Sequence, residues 1–331
     1  MKKKTLTRIL ALLCAAVCLV GCGSTTVGSE EISEENVYLA ADPLADLSLE
    51  QELSMLADSI AAIDLMLLPK AEGELVKSNE KATIDYSNTA DGYVMVKFTA
   101  STTKRLKVKV TGPSAVDYTY NLPAGEWTTF PLSDGSGSYT VKVYENTTGN
   151  KYAAVLALST NVVLNDEFAP FLRPNQYVNY TASSTAVSKA EALTASCTTA
   201  IEKVGVIYDY VVKNFTYDKA KAASVQSGYL PDLNQVMSAK KGICFDYASL
   251  MTAMLRSQNV PCKLVVGYAG TAYHAWINVW SEETGWVEGV IYFDGTAWQR
   301  MDPTFASSGK QSASIMKYIG DGKNYTEKYL Y

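Results

Sequence analysis

Apolar and polar positions change period several times along the chain, and each change predicts a different element. Residues Ile9 to Val20 form an apolar run of 12. It follows Lys2, Lys3, Lys4 and Arg8 and is too short to span a bilayer, which fits the apolar core of a secretory signal. Residues 23–40 are small, polar and acidic, including Glu30, Glu31, Glu34 and Glu35. They read as a flexible tether with a reach of roughly 20–25 Å. Leu49, Leu53, Leu56, Ile60 and Ile63 then recur at helical spacing behind a Ser48/Gln51 capping box, and Pro69 ends the pattern.

From 82 to 165 the period becomes two. Leu106, Val108 and Val110 alternate with Lys107 and Lys109, and Val141 and Val143 alternate with polar neighbours. Asp91-Gly92, Gly112-Pro113, Asp134-Gly135 and Gly149-Asn150 mark turns between short strands, the signature of an antiparallel sandwich. Its Tyr and Trp residues read as core or solvated face, with a glycan site as the alternative. Pro170, Pro174 and the Ser/Thr-rich stretch 181–188 mark a boundary. A second capping box, Ser188 with Glu191, opens a helical stripe through Leu193, Cys197, Ile201, Val204, Tyr208, Val211 and Phe215. On that stripe Cys197 is an inert core thiol. The expected fold is α+β: an N-terminal helix and antiparallel β-sandwich, then a C-terminal α+β domain. The expected boundaries are 1–21 signal, 22–46 tether, 47–81 helix and connector, 82–165 sandwich, 166–187 linker and 188–331 C-terminal domain.

Composition narrows the function. The chain has 331 residues, 47 % hydrophobic and 19 % charged, enough apolar surface for a sizeable core. Lys and Arg number 29 against 34 Asp and Glu; beyond residue 21 the balance is 25 against 34, a net of −9. A surface that acidic argues against a nucleic-acid partner, which needs a basic footprint. His274 is the one histidine, so a multi-histidine metal site is excluded and the sole imidazole base is named. No EF-hand or phosphate loop is present, and no cofactor is expected.

The signal ends in Leu19-Val20-Gly21-Cys22, which resembles the lipobox of bacterial lipoproteins. The resemblance implies cleavage before Cys22, lipidation of its thiol and anchoring on the outer side of the membrane; the alternative is ordinary cleavage with Cys22 free. Cys14 and Cys18 leave with the signal, so Cys197, Cys244 and Cys262 remain. That odd number leaves at least one free thiol, and a 197–262 disulfide is possible.

Chemistry concentrates in the C-terminal third. Lys241-Gly-Ile-Cys244-Phe-Asp246-Tyr-Ala248 precedes a helical pattern, placing Cys244 in a first helical turn, where unpaired N–H groups and the helix dipole favour a thiolate. Gly242 permits close approach just before it. His274 opens an alternating strand that carries Trp276, Asn278 and Trp280 on its own face. A further strand ends at Asp302-Pro303. If the His and Asp strands pair antiparallel, Asp302 meets one imidazole nitrogen while the other faces Cys244. Nucleophile, base and orienting group are what covalent acyl transfer requires.

The strings GICFDYA, Val260 to Tyr268, Tyr273-His-Ala-Trp276 and Met301-Asp-Pro-Thr304 together resemble the transglutaminase-like superfamily over roughly 200–306. The resemblance implies a papain-like α+β fold with Cys244 as nucleophile, His274 as general base and Asp302 as orienting carboxylate. The stretch 281–297 is long for the family and suggests an extra hairpin. An oxyanion donor beside the Cys244 N–H is expected from Gln235 or Tyr217, and Trp276 is expected to shield the pair from water. Asp246 is expected to hydrogen-bond within the helix start. The implied substrate is a protein, peptide or cell-wall peptide at the cell surface, processed by a peptidase, amidase or transamidase. The rival reading is a surface binding or scaffold lipoprotein that keeps the fold without turnover.

Overall fold

The computed structural model describes residues 66–282, 285–287, 291–293, 298–300 and 325–331. The expected signal, tether and 48–63 helix, together with Cys22 and Asp302, lie outside the described residues. The chain divides at Leu53, and all the described residues fall in the compact unit Ser54–Tyr331.

Two four-stranded antiparallel sheets come first. One has the order β1 (Val76–Ser78), β2 (Ala82–Asp85), β3 (Tyr93–Phe98), β6 (Thr128–Pro131), and so begins before the expected boundary at 82. The other has the order β5 (Asp117–Asn121), β4 (Leu106–Thr111), β7 (Gly137–Thr148), β8 (Lys151–Val162). Alternation dictates their faces. Val108, Val110, Tyr118, Tyr120, Val141 and Val143 are buried, and Tyr120 meets Phe130 of the other sheet edge-on at 5.0 Å between ring centroids. Lys107, Lys109, Thr119, Asn121 and Lys142 share the outer face by register.

The segment 166–187 is packed rather than a free linker. Ala169, Pro170, Phe171, Val178 and Tyr180 are buried, because apolar side chains recur along it and need cover. The single helix expected from Ser188 to Phe215 is two: α1 (Thr185–Thr194) and α2 (Ala200–Asn214). The working capping box is Thr199 with Glu202, not Ser188 with Glu191. Thr194 Oγ1 donates back to the Ala190 carbonyl at 2.9 Å, and the Glu202 carboxylate accepts from the N–H groups of Thr198 and Thr199 at 2.6 and 3.1 Å. Local hydroxyl and carboxylate bonds outcompete helix continuation there. Cys197 therefore sits half-buried in the turn between the helices, not on a core stripe.

Next come β9 (Thr216–Tyr217), α3 (Lys219–Ser224), α4 (Leu233–Ala239), β10 (Lys241–Gly242) and α5 (Cys244–Ser257). A third sheet has the order β13 (Gly285–Val287), β12 (Ala272–Ser281), β11 (Cys262–Ala269), β16 (Tyr325–Leu330), all antiparallel. The expected pairing of the His and Asp strands is not found. Strand β12 is flanked by β11 and β13, whereas β15 (Trp298–Arg300) pairs with β14 (Ile291–Phe293). Strand β13 already occupies that edge of β12. Gly267 carries a close approach in this sheet: a Cβ there would overlap the Thr326 carbonyl oxygen and lie 2.8 Å from the Trp276 ring.

Helix α5 is the pivot of this half. Every residue from Asp246 to Arg256 is buried, because the helix packs on β11 and β12 and also on α1, α2 and α4. A helix covered on all sides must be apolar or have its charges satisfied. Arg256, 2 % exposed, donates from Nε to the Cys262 carbonyl at 2.9 Å, from Nη1 to the Arg173 carbonyl at 2.7 Å and from Nη2 to the Tyr331 oxygen at 2.5 Å. Burial pulls its guanidinium down to about 10. One side chain thus ties the 166–187 segment, β11 and the C-terminal residue to α5. Arg256→Ala is expected to lose about 3–5 kcal/mol in urea unfolding, since it leaves buried carbonyls unsatisfied and opens a cavity. Arg256→Lys should recover little, because a point ammonium cannot reproduce the fork.

Candidate active site

The candidate nucleophile gets its position from the start of α5. Ile243 is the N-cap, in extended conformation, and Cys244 is the first helical residue. The helical ladder leaves the first N–H groups unused, so the backbone at Cys244 presents donors and the positive end of the helix dipole. Gly242 is required just upstream, because a Cβ there would lie 2.7 Å from that of Asp246. Asp246, fully buried, accepts from the Ile243 N–H at 2.8 Å, from Lys221 Nζ at 2.7 Å and from the Tyr229 hydroxyl at 2.5 Å. It fixes the helix start, the local role expected of it, and additionally holds α3 and the 225–230 loop. Burial, reinforced by the Asp246 hydrogen bond, pushes the Tyr229 phenol well up, so it stays a donor at neutral pH.

His274 lies on β12, 7 % exposed, opposite Gly267 of β11. Its ring stacks near Trp276 at 6.3 Å and 27°, and the Trp276 indole, 2 % exposed, meets Tyr325 edge-on at 5.2 Å. Cys244 and His274 both line one cavity of about 690 Å³. Its wall also includes Tyr217, which pairs opposite Gly242 through the parallel β9–β10 bridge. Gln235 is not in this wall. It is exposed on α4, where its backbone N–H is capped by Asp232, and this structure does not bring it to Cys244. Trp276 stands behind His274 rather than in the wall.

Several lining residues come from places that motif reading does not reach. Lys107, Asp117, Thr119 and Asn121 enter from the outer face of the sandwich, and Tyr329 and Tyr331 from the C-terminal end. Alternation along β4 and β5 marks the outward positions, but nothing in the sequence says what faces them. Burial pushes the Tyr177 phenol up to about 12, so this part of the wall is neutral and hydroxyl-bearing at physiological pH. Among the described residues no cluster of His, Cys, Asp and Glu could hold a metal ion.

With this geometry in view, the likeness to known proteins is informative. Residues 187–303 match the family described as the Transglutaminase-like superfamily. The chain thus carries a transglutaminase-like α+β core after its two antiparallel sheets. Over 131 residues it is 27 % identical to uncharacterized proteins of Mycobacterium tuberculosis and Mycobacterium bovis, covering 35 % of this chain and 36 % of each relative. It spans about a third of their length. Among solved structures, a candidate cysteine protease from Cytophaga hutchinsonii is 17 % identical with a TM-score of 0.36, covering 72 % of this chain and 76 % of its own. The periplasmic domain of TgpA from Pseudomonas aeruginosa is 15 % identical with a TM-score of 0.33, over 73 % and 79 %. Red sea bream transglutaminase is 13 % identical with a TM-score of 0.28, over 64 % and 48 %. TM-scores below 0.5 do not establish a shared fold; the assignment stands on the family match and the observed elements.

The three thiols among the described residues are all free, with no 197–262 disulfide, and their surroundings differ. Cys262 is fully buried, donates to Thr252 Oγ1 at 3.5 Å, and is pushed up to about 11 by burial. Cys197 is half-buried and its thiol is raised, by burial first and then by the Glu202 charge. Native alkylation with iodoacetamide near neutral pH is therefore expected at Cys244, more slowly at Cys197 and not at Cys262 until the protein unfolds. Peptide mass spectrometry of labelled native protein reads this order. Labelling of native Cys262 as fast as Cys244 would contradict it.

Proposed function

We propose that the protein is a cysteine acyl-transfer enzyme that attacks amide bonds of proteins or peptides through a thioester. The observation that carries this reading is the meeting of Cys244, at a helix N-terminus, and His274, on β12, in one cavity wall. Cys244 Sγ attacks the amide carbonyl carbon as His274 takes the thiol proton. The oxyanion is held by the backbone N–H of Cys244, with the Tyr217 hydroxyl as second donor. The C–N bond then breaks, the leaving amine takes the proton from His274, and a thioester remains. Water resolves it in a peptidase or amidase, and an amine resolves it in a transamidase. Asp302 is the orienting carboxylate in this mechanism, and Trp276 screens the imidazole from bulk water. A non-catalytic scaffold could seal its cysteine away; here Cys244 is half-buried on a cavity wall.

Acyl-enzyme trapping with an activated ester probe, read by intact mass, tests the mechanism. Cys244→Ala should give no adduct, and His274→Ala nearly none, because the chain holds no second imidazole. Asp302→Asn should fold normally and lose on the order of a thousandfold or more in acylation rate. The double variant His274→Ala, Asp302→Asn should be scarcely worse than His274→Ala alone, since such groups act as a unit. Wild-type acylation by folded His274→Ala would overturn the mechanism.

The same proposal places the enzyme outside the cytoplasm, held at the membrane by a lipid on Cys22. Several acyl chains on one residue suffice for stable anchoring, whereas one is marginal. Cys22→Ser should move the protein from the membrane fraction to the soluble one. Continued fractionation with membranes would refute the anchor.

A further inference from the structure

The cleft wall carries an uneven charge. Among the side chains of the described residues that line it, Lys107 is the single lysine or arginine and Asp117 the single carboxylate. Asp117 is already engaged: it accepts from Lys109 Nζ at 2.8 Å and from Thr111 Oγ1 at 2.6 Å. Lys107 donates to the Asn121 side-chain oxygen at 2.6 Å and forms no ion pair within the described residues. A neutral amide orients an ammonium but does not neutralise it.

That amide is itself fixed. Asn121 Nδ2 donates to the Gly228 carbonyl at 3.2 Å, while its backbone N–H and carbonyl are both held by the Gln176 side chain, at 3.2 and 2.7 Å. Gly228 belongs to the loop that Tyr229 ties to Asp246. A continuous set of hydrogen bonds therefore runs from Lys107 through Asn121, the 225–230 loop and Asp246 to the start of the Cys244 helix. Half-burial of Lys107 lowers its affinity for a proton, mainly through lost hydration. A carboxylate arriving beside it would reverse that effect. The outer face around it, with Lys109 and Lys142 in register, is locally basic in a chain whose net charge is −5.

We propose that Lys107 is a specificity-determining residue: it receives a substrate carboxylate, so the cleft selects acidic peptides. The carboxylate is an acidic side chain near the scissile amide or the free C-terminus of a short peptide. This inference rests on the acyl-transfer reading for its purpose but not for its test.

Binding is measured on the full chain carrying Cys244→Ala, by fluorescence anisotropy with labelled tetrapeptides. The set has Glu, Gln or Lys at one position and a free or an amidated C-terminus. At least one of the two carboxylates should tighten binding by about tenfold or more, as expected for a charge-assisted bond. The Glu and free-terminus arms tell which carboxylate is recognised. Lys107→Gln, which can keep a hydrogen bond to Asn121 while removing the charge, should abolish the preference. Lys107→Glu should reverse it towards Lys-containing peptides. Equal binding of acidic and neutral peptides, a preference that survives folded Lys107→Gln, or no binding of any peptide would overturn the proposal. Thioester formation on the wild-type chain is scored separately. Lys107-dependent binding without any thioester would keep the subsite and reject acyl transfer. Acylation at the same kcat/KM for all peptides would keep acyl transfer and reject the subsite.

Discussion

Helix α5 enters the core with a buried charge near each end, and most of the C-terminal half is organised by how those charges are satisfied. Uncompensated, a buried ion costs several kcal/mol. Asp246 meets that cost with the Ile243 N–H, Lys221 and Tyr229. Arg256 meets it with three oxygens from three separate stretches of chain. Each set of partners is also a set of constraints. The Asp246 set fixes the turn that presents Cys244, and the Arg256 set fixes β11, the strand on which the His274 strand is laid.

The two halves of the compact unit share one cleft. The outer face of β4 and β5 supplies part of its wall, and the C-terminal residues join the halves from another side. Ser133 Oγ donates to the Leu330 carbonyl at 2.7 Å, and the Tyr331 ring packs edge-on against Tyr118 and Tyr120 at 5.6 and 5.8 Å. On this geometry the antiparallel sheets are part of the site rather than an appended module. On the proposed readings, chemistry at Cys244 and selection at Lys107 sit on separate elements, helix α5 and strand β4, and can vary separately, provided the Asn121 and Gly228 contact keeps them in register.

The tyrosines of the cleft complement this division. Tyr177, Tyr229, Tyr273 and Tyr331 all line it, and burial raises each phenol above its ordinary range. They remain neutral donors at physiological pH. A wall of neutral hydroxyls adds no fixed negative charge to oppose an anionic substrate, and it leaves the ammonium of Lys107 as the dominant fixed charge among the side chains of the described lining residues.

Short-range physics made much of this legible in the sequence. Alternation along Leu106 to Val110 and Val141 to Val143 gave sheet faces directly, because side chains on a strand point to opposite sides. The motif around Cys244 placed it at a helix start, since Gly242 and Asp246 act within one turn. The split between α1 and α2 was also encoded locally, but two capping boxes competed, and the local bonds of Thr194 and Glu202 accompany the second. What faces an outward lysine, which strand fills the edge of β12, and whether a glutamine such as Gln235 reaches the cavity are matters of long-range packing. Those depend on contacts between residues separated by tens to hundreds of positions, for which periodicity carries no signal. The candidate side chains Cys244 and His274 could be picked from the sequence because their motifs are local; only the tertiary structure decided what surrounds them, because a cleft is the space left between elements after they pack.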